Sequence, residues 1–256
     1  MKTKKITGSI LVFLLMSFMG LLAQEEQDMQ MFLVHEDRTK PAMAKKHETI
    51  DKELIGAMRQ NEINDFSWIT LVTEDFRYIY ISPLDKMADL DKDPFASLSE
   101  KIGPGETKKI FDKFNDTYEE HGDYILILDK KLSYQPGGIN TTPAGKNYRH
   151  ITMYHYTPAN AEKAEDLAER FLDLYTKKNS QMDYRLYRSG FGIMGSFFWV
   201  VSAAESPEDF ERMREDNRQL FGQEGESLVD KLLQTISRIE VIRGYIRPDL
   251  GYQPRN

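Results

Sequence analysis

A pattern that occurs twice constrains this chain more than anything else in it. Met31 to Pro41 (MFLVHEDRTKP) has a shortened echo, Ile151 to Pro158 (ITMYHYTP), which begins 120 residues further on. Each copy alternates like a strand with one buried face, carries a histidine near its end, and runs into a proline. Proline suits the first helical position, where its missing N–H costs no hydrogen bond. Strand then helix, repeated at a fixed separation, predicts two copies of one unit.

The stretches between the copies extend the repeat. In the first half, Met43, His47, Ile50, Leu54 and Met58 form one helical stripe ending near Asn61. Phe66 to Thr73 and Phe76 to Ser82 are aromatic and β-branched, parted by Glu74-Asp75, which predicts a hairpin. Asp93-Pro94 starts a second helix, interrupted at Gly103-Pro104-Gly105 and resumed through Ile110, Phe111, Phe114 and Tyr118, with His121-Gly122 closing it. Tyr124 to Leu128 is a fourth strand. The second half repeats the order: Ile151 to Tyr156, a helix with the stripe Ala161 to Leu174, hairpin strands Met182 to Tyr187 and Phe197 to Ala203, a helix capped by Ser206-Pro207 and interrupted at Gly222 to Gly225, and Ile239 to Ile246. The organisation expected is a signal peptide over 1–23, a disordered lead-in over 24–30, one repeat over 31–135, a turn-rich connector over 136–147 and a second repeat over 148–256.

Lys2, Lys4 and Lys5 followed by the apolar run Ile10 to Leu22 and Ala23 have the form of an export signal. The run is about 13 residues, short of the roughly 20 that a spanning helix needs, so no membrane span is expected after cleavage and the protein is read as periplasmic or secreted. There is no cysteine, which excludes thiol chemistry, leaves lipoprotein processing without an acceptor thiol and leaves core burial to supply stability. Cleavage after Ala23 removes three of 34 Lys and Arg, so that 31 face 41 Asp and Glu and the charge moves from −7 to −10. So acidic a chain, without a basic stripe, does not suit nucleic acid.

The order β-α-β-β-α-β is that of a ferredoxin-like unit. With its first strand ending in Lys40-Pro41, its aromatic strand holding Trp68 and the partner strand Phe76 to Ser82, the chain resembles the dimeric α+β barrel superfamily, which includes the antibiotic-biosynthesis monooxygenase and NIPSNAP-like groups. VHEDRTKP, SWITLVTEDFRYIYISP and YRSGFG together resemble a group of exported bacterial proteins without assigned function. The resemblance implies an α+β fold in which two tandem ferredoxin-like repeats pack sheet against sheet as a barrel within one chain. It implies no particular activity, because a fold hosts many functions.

Candidate site residues follow from the repeat. His35 and His155 occupy matching places in the two first strands, and if their face points between the sheets, two imidazoles approach one cavity and could pass protons; the plainer alternative is a structural hydrogen bond in each strand. Glu36 alternates away from His35, so no zinc set is recognised, and no cofactor motif is present. Asp89, Asp91, Asp93 and Glu100 have calcium-loop spacing, but Pro94 stands where that loop needs glycine, so a capped helix start is expected. Trp68, Tyr78, Tyr80, Tyr184, Tyr187 and Trp199 could line an apolar pocket with polar tips, or simply be the core that packed sheets require. Arg185 and Arg188 could grip an anionic substituent, whereas the glycines of GFGIMG open no helix and are read as turn geometry. Ser82, Ser189 and Ser196 have no histidine and acid in a recognisable arrangement. Three functions stay open: binding a small apolar or aromatic molecule between the sheets, a cofactor-independent monooxygenase-like activity with Trp68 and Tyr184 as substrate wall, or an interaction protein with a filled barrel, compatible with a homo-oligomer.

Overall fold

The structure, a computed structural model, describes residues 28–254. The segment read as a signal peptide lies outside the described residues, as does most of the lead-in. Met29 and Gln30, expected in that lead-in, already belong to the first strand.

The first half comprises β1 (Met29–Thr39), a 3-10 turn at Pro41–Met43, α1 (Ala44–Gln60), β2 (Ile69–Thr73), β3 (Arg77–Leu84), α2 (Ala96–Ile102), α3 (Pro104–Asp112) and β4 (Tyr118–Tyr134). The second comprises β5 (Tyr148–Tyr156), α4 (Ala161–Lys178), β6 (Tyr184–Ser189), β7 (Ser196–Ala204), α5 (Pro207–Thr235) and β8 (Arg238–Ile246). Both prolines start a single 3-10 turn before the helix proper. Asp89 and Asp91 lie in another such turn, Met87–Asp91, and Asp93 accepts a hydrogen bond from the backbone N–H of Phe95, so that stretch leads into a helix. Gly222, with φ 52° and ψ −141°, kinks α5, and Gly103, with φ 91°, separates α2 from α3.

Two expectations are corrected. The strand expected over Phe66 to Thr73 starts only at Ile69, and Trp68 ahead of it forms an isolated bridge to Tyr252. His121-Gly122 does not close a helix: α3 stops at Asp112, and β4 starts at Tyr118 because β1 pairs with it along its whole length, from Met29 opposite Asp129 to Thr39 opposite Tyr118. Seventeen residues of β4 result where five were expected.

Among the described residues the strands close into a barrel in the order β1-β3-β2-β8-β5-β7-β6-β4, with every neighbouring pair antiparallel. Each half contributes the order 4-1-3-2 of a ferredoxin-like sheet, and the seams are β2 with β8 and β4 with β6. Alternation decides what fills the barrel. Phe32 and Val34 of β1 point inward with Leu71, Ile79, Leu126, Leu128, Ile151, Met153, Tyr187, Phe197, Trp199 and Val201. These side chains leave an interior void of only about 50 Å³, room for about a water molecule or two. The outward face of the first-half sheet is covered by α1, α2 and α3, whose stripe Ile50, Leu54 and Met58 packs with Trp68, Leu98, Ile110 and Phe114.

Candidate functional site

Among the described residues, a cavity able to take a small molecule lies between the first-half sheet and its helices, whereas the space between the two sheets is filled. This cavity measures about 350 Å³, within the range of small-ligand sites. One wall is apolar and aromatic: Leu54 from α1, Phe66 and Trp68 from the run into β2, Phe95 from the start of α2, and Phe111 and Phe114 from α3 and its exit. Phe95 meets Phe66, Trp68 and Phe111 at ring separations of 5.4, 6.4 and 4.7 Å, edge to face.

The opposite wall is the outward face of three strands, and register builds it. His35 of β1 lies opposite Tyr80 of β3 and Asp123 of β4; Asp37 lies opposite Tyr78 and His121. Two rows of polar side chains thus cross the sheet. His35 Nδ1 is 2.9 Å from Asp123 Oδ1, and its Nε2 is 3.2 Å from Asp37 Oδ1. The second contact misses hydrogen-bond angle, and this oxygen of the buried Asp37 has no hydrogen-bond partner. Burial opposes a charge on His35, but its hydrogen bond with Asp123, the close approach of Asp37 and the negative charge of both outweigh burial and push its pKa up to about 10. His121 stacks on Tyr118 at 5.0 Å and meets the His35 ring edge-on at 5.8 Å.

Behind this wall runs a buried relay. Thr117 Oγ1 donates to the Phe114 carbonyl at 2.7 Å, so it accepts from His47 Nδ1, also at 2.7 Å. That fixes the His47 tautomer and leaves Nε2 as acceptor for the Tyr80 hydroxyl at 2.9 Å. Asp51 lies 2.9 Å from the same hydroxyl. Burial pushes the Asp51 pKa up to about 8 and the His47 pKa down to about 4. The Tyr80 hydroxyl thus stands within hydrogen-bond reach of both His47 and Asp51, and burial favours the neutral form of each.

The structure brings together only part of the predicted set. His35, Trp68 and Tyr80 line the cavity. Tyr78 is buried beneath α1, 4.6 Å from the His47 ring, with its hydroxyl on Glu48. Tyr187 and Trp199 fill the barrel interior, while Tyr184 packs outside it against Tyr134 and Tyr175. Arg188 is held by Asp129 and Glu165, whereas Arg185 and Arg149 are buried at the interior void and donate to connector carbonyls at Asn140 and Thr141.

His155 and His35 do not share a cavity. His155 points to the barrel side with Ile151 and Met153, where it meets Phe197, Glu240 and Arg238. The cause is one of parity: His35 lies six positions before Pro41 but His155 only three before Pro158, and an odd difference reverses the face of a strand residue.

Asp37, His47, Asp51, His121 and Asp123 were missed as site residues. His47 and Asp51, four apart within the apolar stripe of α1, are the one such signal visible in the sequence, since polar groups in a buried stripe need partners.

Neither a protein-family model nor a curated protein matches the sequence. Solved structures do match in shape. An anthrone oxidase-like protein superposes with a TM-score of 0.59 at 13% identity, over 87% of this chain and 93% of its own. The chain has the dimeric α+β barrel fold. A candidate monooxygenase from Lactobacillus acidophilus gives a TM-score of 0.53 at 7% identity over 88% of this chain and 96% of its own. A second, from Fusobacterium nucleatum, gives 0.51 at 10% identity over 88% and 97%. In this barrel both ferredoxin-like units come from one polypeptide.

Proposed function

We propose that the chain binds a small, flat, largely apolar molecule with one polar group in the first-half pocket. The observation that carries this reading is the pocket's two-sidedness. Rings fit among Trp68, Phe95 and Phe111, and a hydroxyl or carbonyl meets the polar wall at His35 and Tyr80. Orientation by a few polar groups within an apolar cavity is how such sites select ligands. The sheet interior is too full for the role, which moves the expected ligand from between the sheets to beneath the helices.

A second reading, an oxygenase-type enzyme acting on such a molecule, draws support from the two candidate monooxygenases and the anthrone oxidase-like protein that share the fold, and from imidazole and carboxyl groups lining the pocket. Fold likeness alone does not assign an activity. Export belongs to the proposal too, on the strength of Lys2, Lys4, Lys5 and the apolar run after them. Among the described residues no helix is long and apolar enough to cross a membrane.

Titration with 2-naphthol and with anthrone, followed by calorimetry and by Trp68 emission, tests the binding. One saturable equivalent is expected, weakened about tenfold or more by Asn115→Trp, which places an indole at the mouth. Absence of saturable binding, or binding indifferent to that substitution, refutes the pocket. Oxygen uptake with bound anthrone separates an enzyme from a binding protein.

A further inference from the structure

We propose that His35, Asp37 and His121 form a binding site for one divalent first-row transition-metal ion at the mouth of the pocket. Each offers a ligand atom, and the three atoms lie within 4.8 Å of one another. Two imidazole nitrogens and one carboxylate oxygen make a donor set that suits zinc, iron(II) or manganese and leaves coordination positions open for water or substrate.

Asp37 has the most to gain from a cation. Its side chain is 5% exposed, yet Oδ1 has no hydrogen-bond partner although it borders the cavity. A buried carboxylate oxygen without a donor is costly, and a cation relieves it. His35 is already oriented for the purpose. Asp123, 2.9 Å from Nδ1, holds that nitrogen's proton and turns Nε2 towards Asp37 Oδ1; a carboxylate behind a ligating histidine is the usual second layer of a metal site. Without an added cation, two lone pairs would face each other across 3.2 Å.

The third ligand adjusts easily. Around a tetrahedral ion with bonds near 2.1 Å, ligand atoms stand about 3.4 Å apart, so closing the set takes a movement of the order of an ångström. His121 is exposed and stacked on Tyr118, and a turn of its side chain supplies that movement. Register brings the set together: His121 lies directly opposite Asp37 on the paired strand, and His35 precedes Asp37 by two on the same face.

The inference shares the pocket of the preceding reading but not its organic ligand, so the two fail separately. Full-length protein stripped with EDTA is titrated with zinc chloride, manganese chloride and, without oxygen, ferrous sulfate, while calorimetry, metal content after desalting and thermal unfolding are followed with no aromatic molecule present. At least one ion is expected to bind at one equivalent and raise the melting temperature. His121→Ala, at an exposed position compatible with folding, is expected to weaken binding about tenfold or more, and Asp123→Asn, a positioning change, to weaken it within the 10- to 100-fold range of second-layer partners, roughly. His150→Ala, remote from the site, leaves it unchanged. If none of the three ions binds at one equivalent, or if His121→Ala binds as the parent does, the site does not exist.

Discussion

Asp51 shows what a buried acid does to this molecule. Its side chain is enclosed by α1 and the Tyr80 hydroxyl, and burial raises its pKa from 3.8 to about 8. A carboxyl whose folded pKa is raised contributes stability that is complete below pH 3.8 and is lost as pH rises towards 8, because the unfolded chain sheds its proton first. Asp51→Asn keeps a donor for Tyr80 without the ionisation. The variant is expected to gain on the parent as pH rises from 4 to 8, reaching about 1 to 3 kcal/mol at pH 8. Urea unfolding at pH 5 and pH 8 measures it; a constant difference at both would show that Asp51 does not titrate abnormally.

Within the elements, the hairpin loop between β6 and β7 is pinned to β4. Gly190 N–H donates to Ile125 O at 2.9 Å, and Ile125 N–H donates to Phe191 O at 2.8 Å. Gly192 has φ +87°, and a Cβ there would fall 2.7 Å from Asp123 O. Gly103 has φ +91° but open space around it. Gly192→Ala should therefore cost about 2 to 4 kcal/mol, backbone strain plus clash, and Gly103→Ala about 1, strain alone. Equal denaturation midpoints for the two would remove the close approach as the reason for glycine. Turn geometry was legible in GFGIMG, but the docking of that turn on β4 was not, because which strand lies beside a loop is a long-range fact.

The whole molecule is closed by its last described residues, which return from the second half to the first. Trp68 and Tyr252 exchange backbone hydrogen bonds of 2.9 and 3.0 Å, their rings stack at 5.4 Å, and the Trp68 indole donates to Leu250 O at 3.0 Å. Arg247 meanwhile reaches Glu48 on α1 at 2.9 Å. Tyr252→Ala should lower stability by about 3 to 5 kcal/mol and shift tryptophan emission to the red, since Trp68 loses its cover while Trp199 stays in the barrel; unchanged emission would mean that the tail does not seal the pocket wall. The sequence by itself determined the repeat, the order of elements and the α+β class, because period and turn chemistry are local and the echo needs no partner to be read; the barrel followed only from the family resemblance. Tertiary structure alone decided that the barrel is full, that the pocket lies beneath the first-half helices, and that Asp37, His121 and Asp123 join His35 while His155 faces elsewhere. Strand register sets these juxtapositions, and a shift of one residue would send every side chain of a strand to the other face.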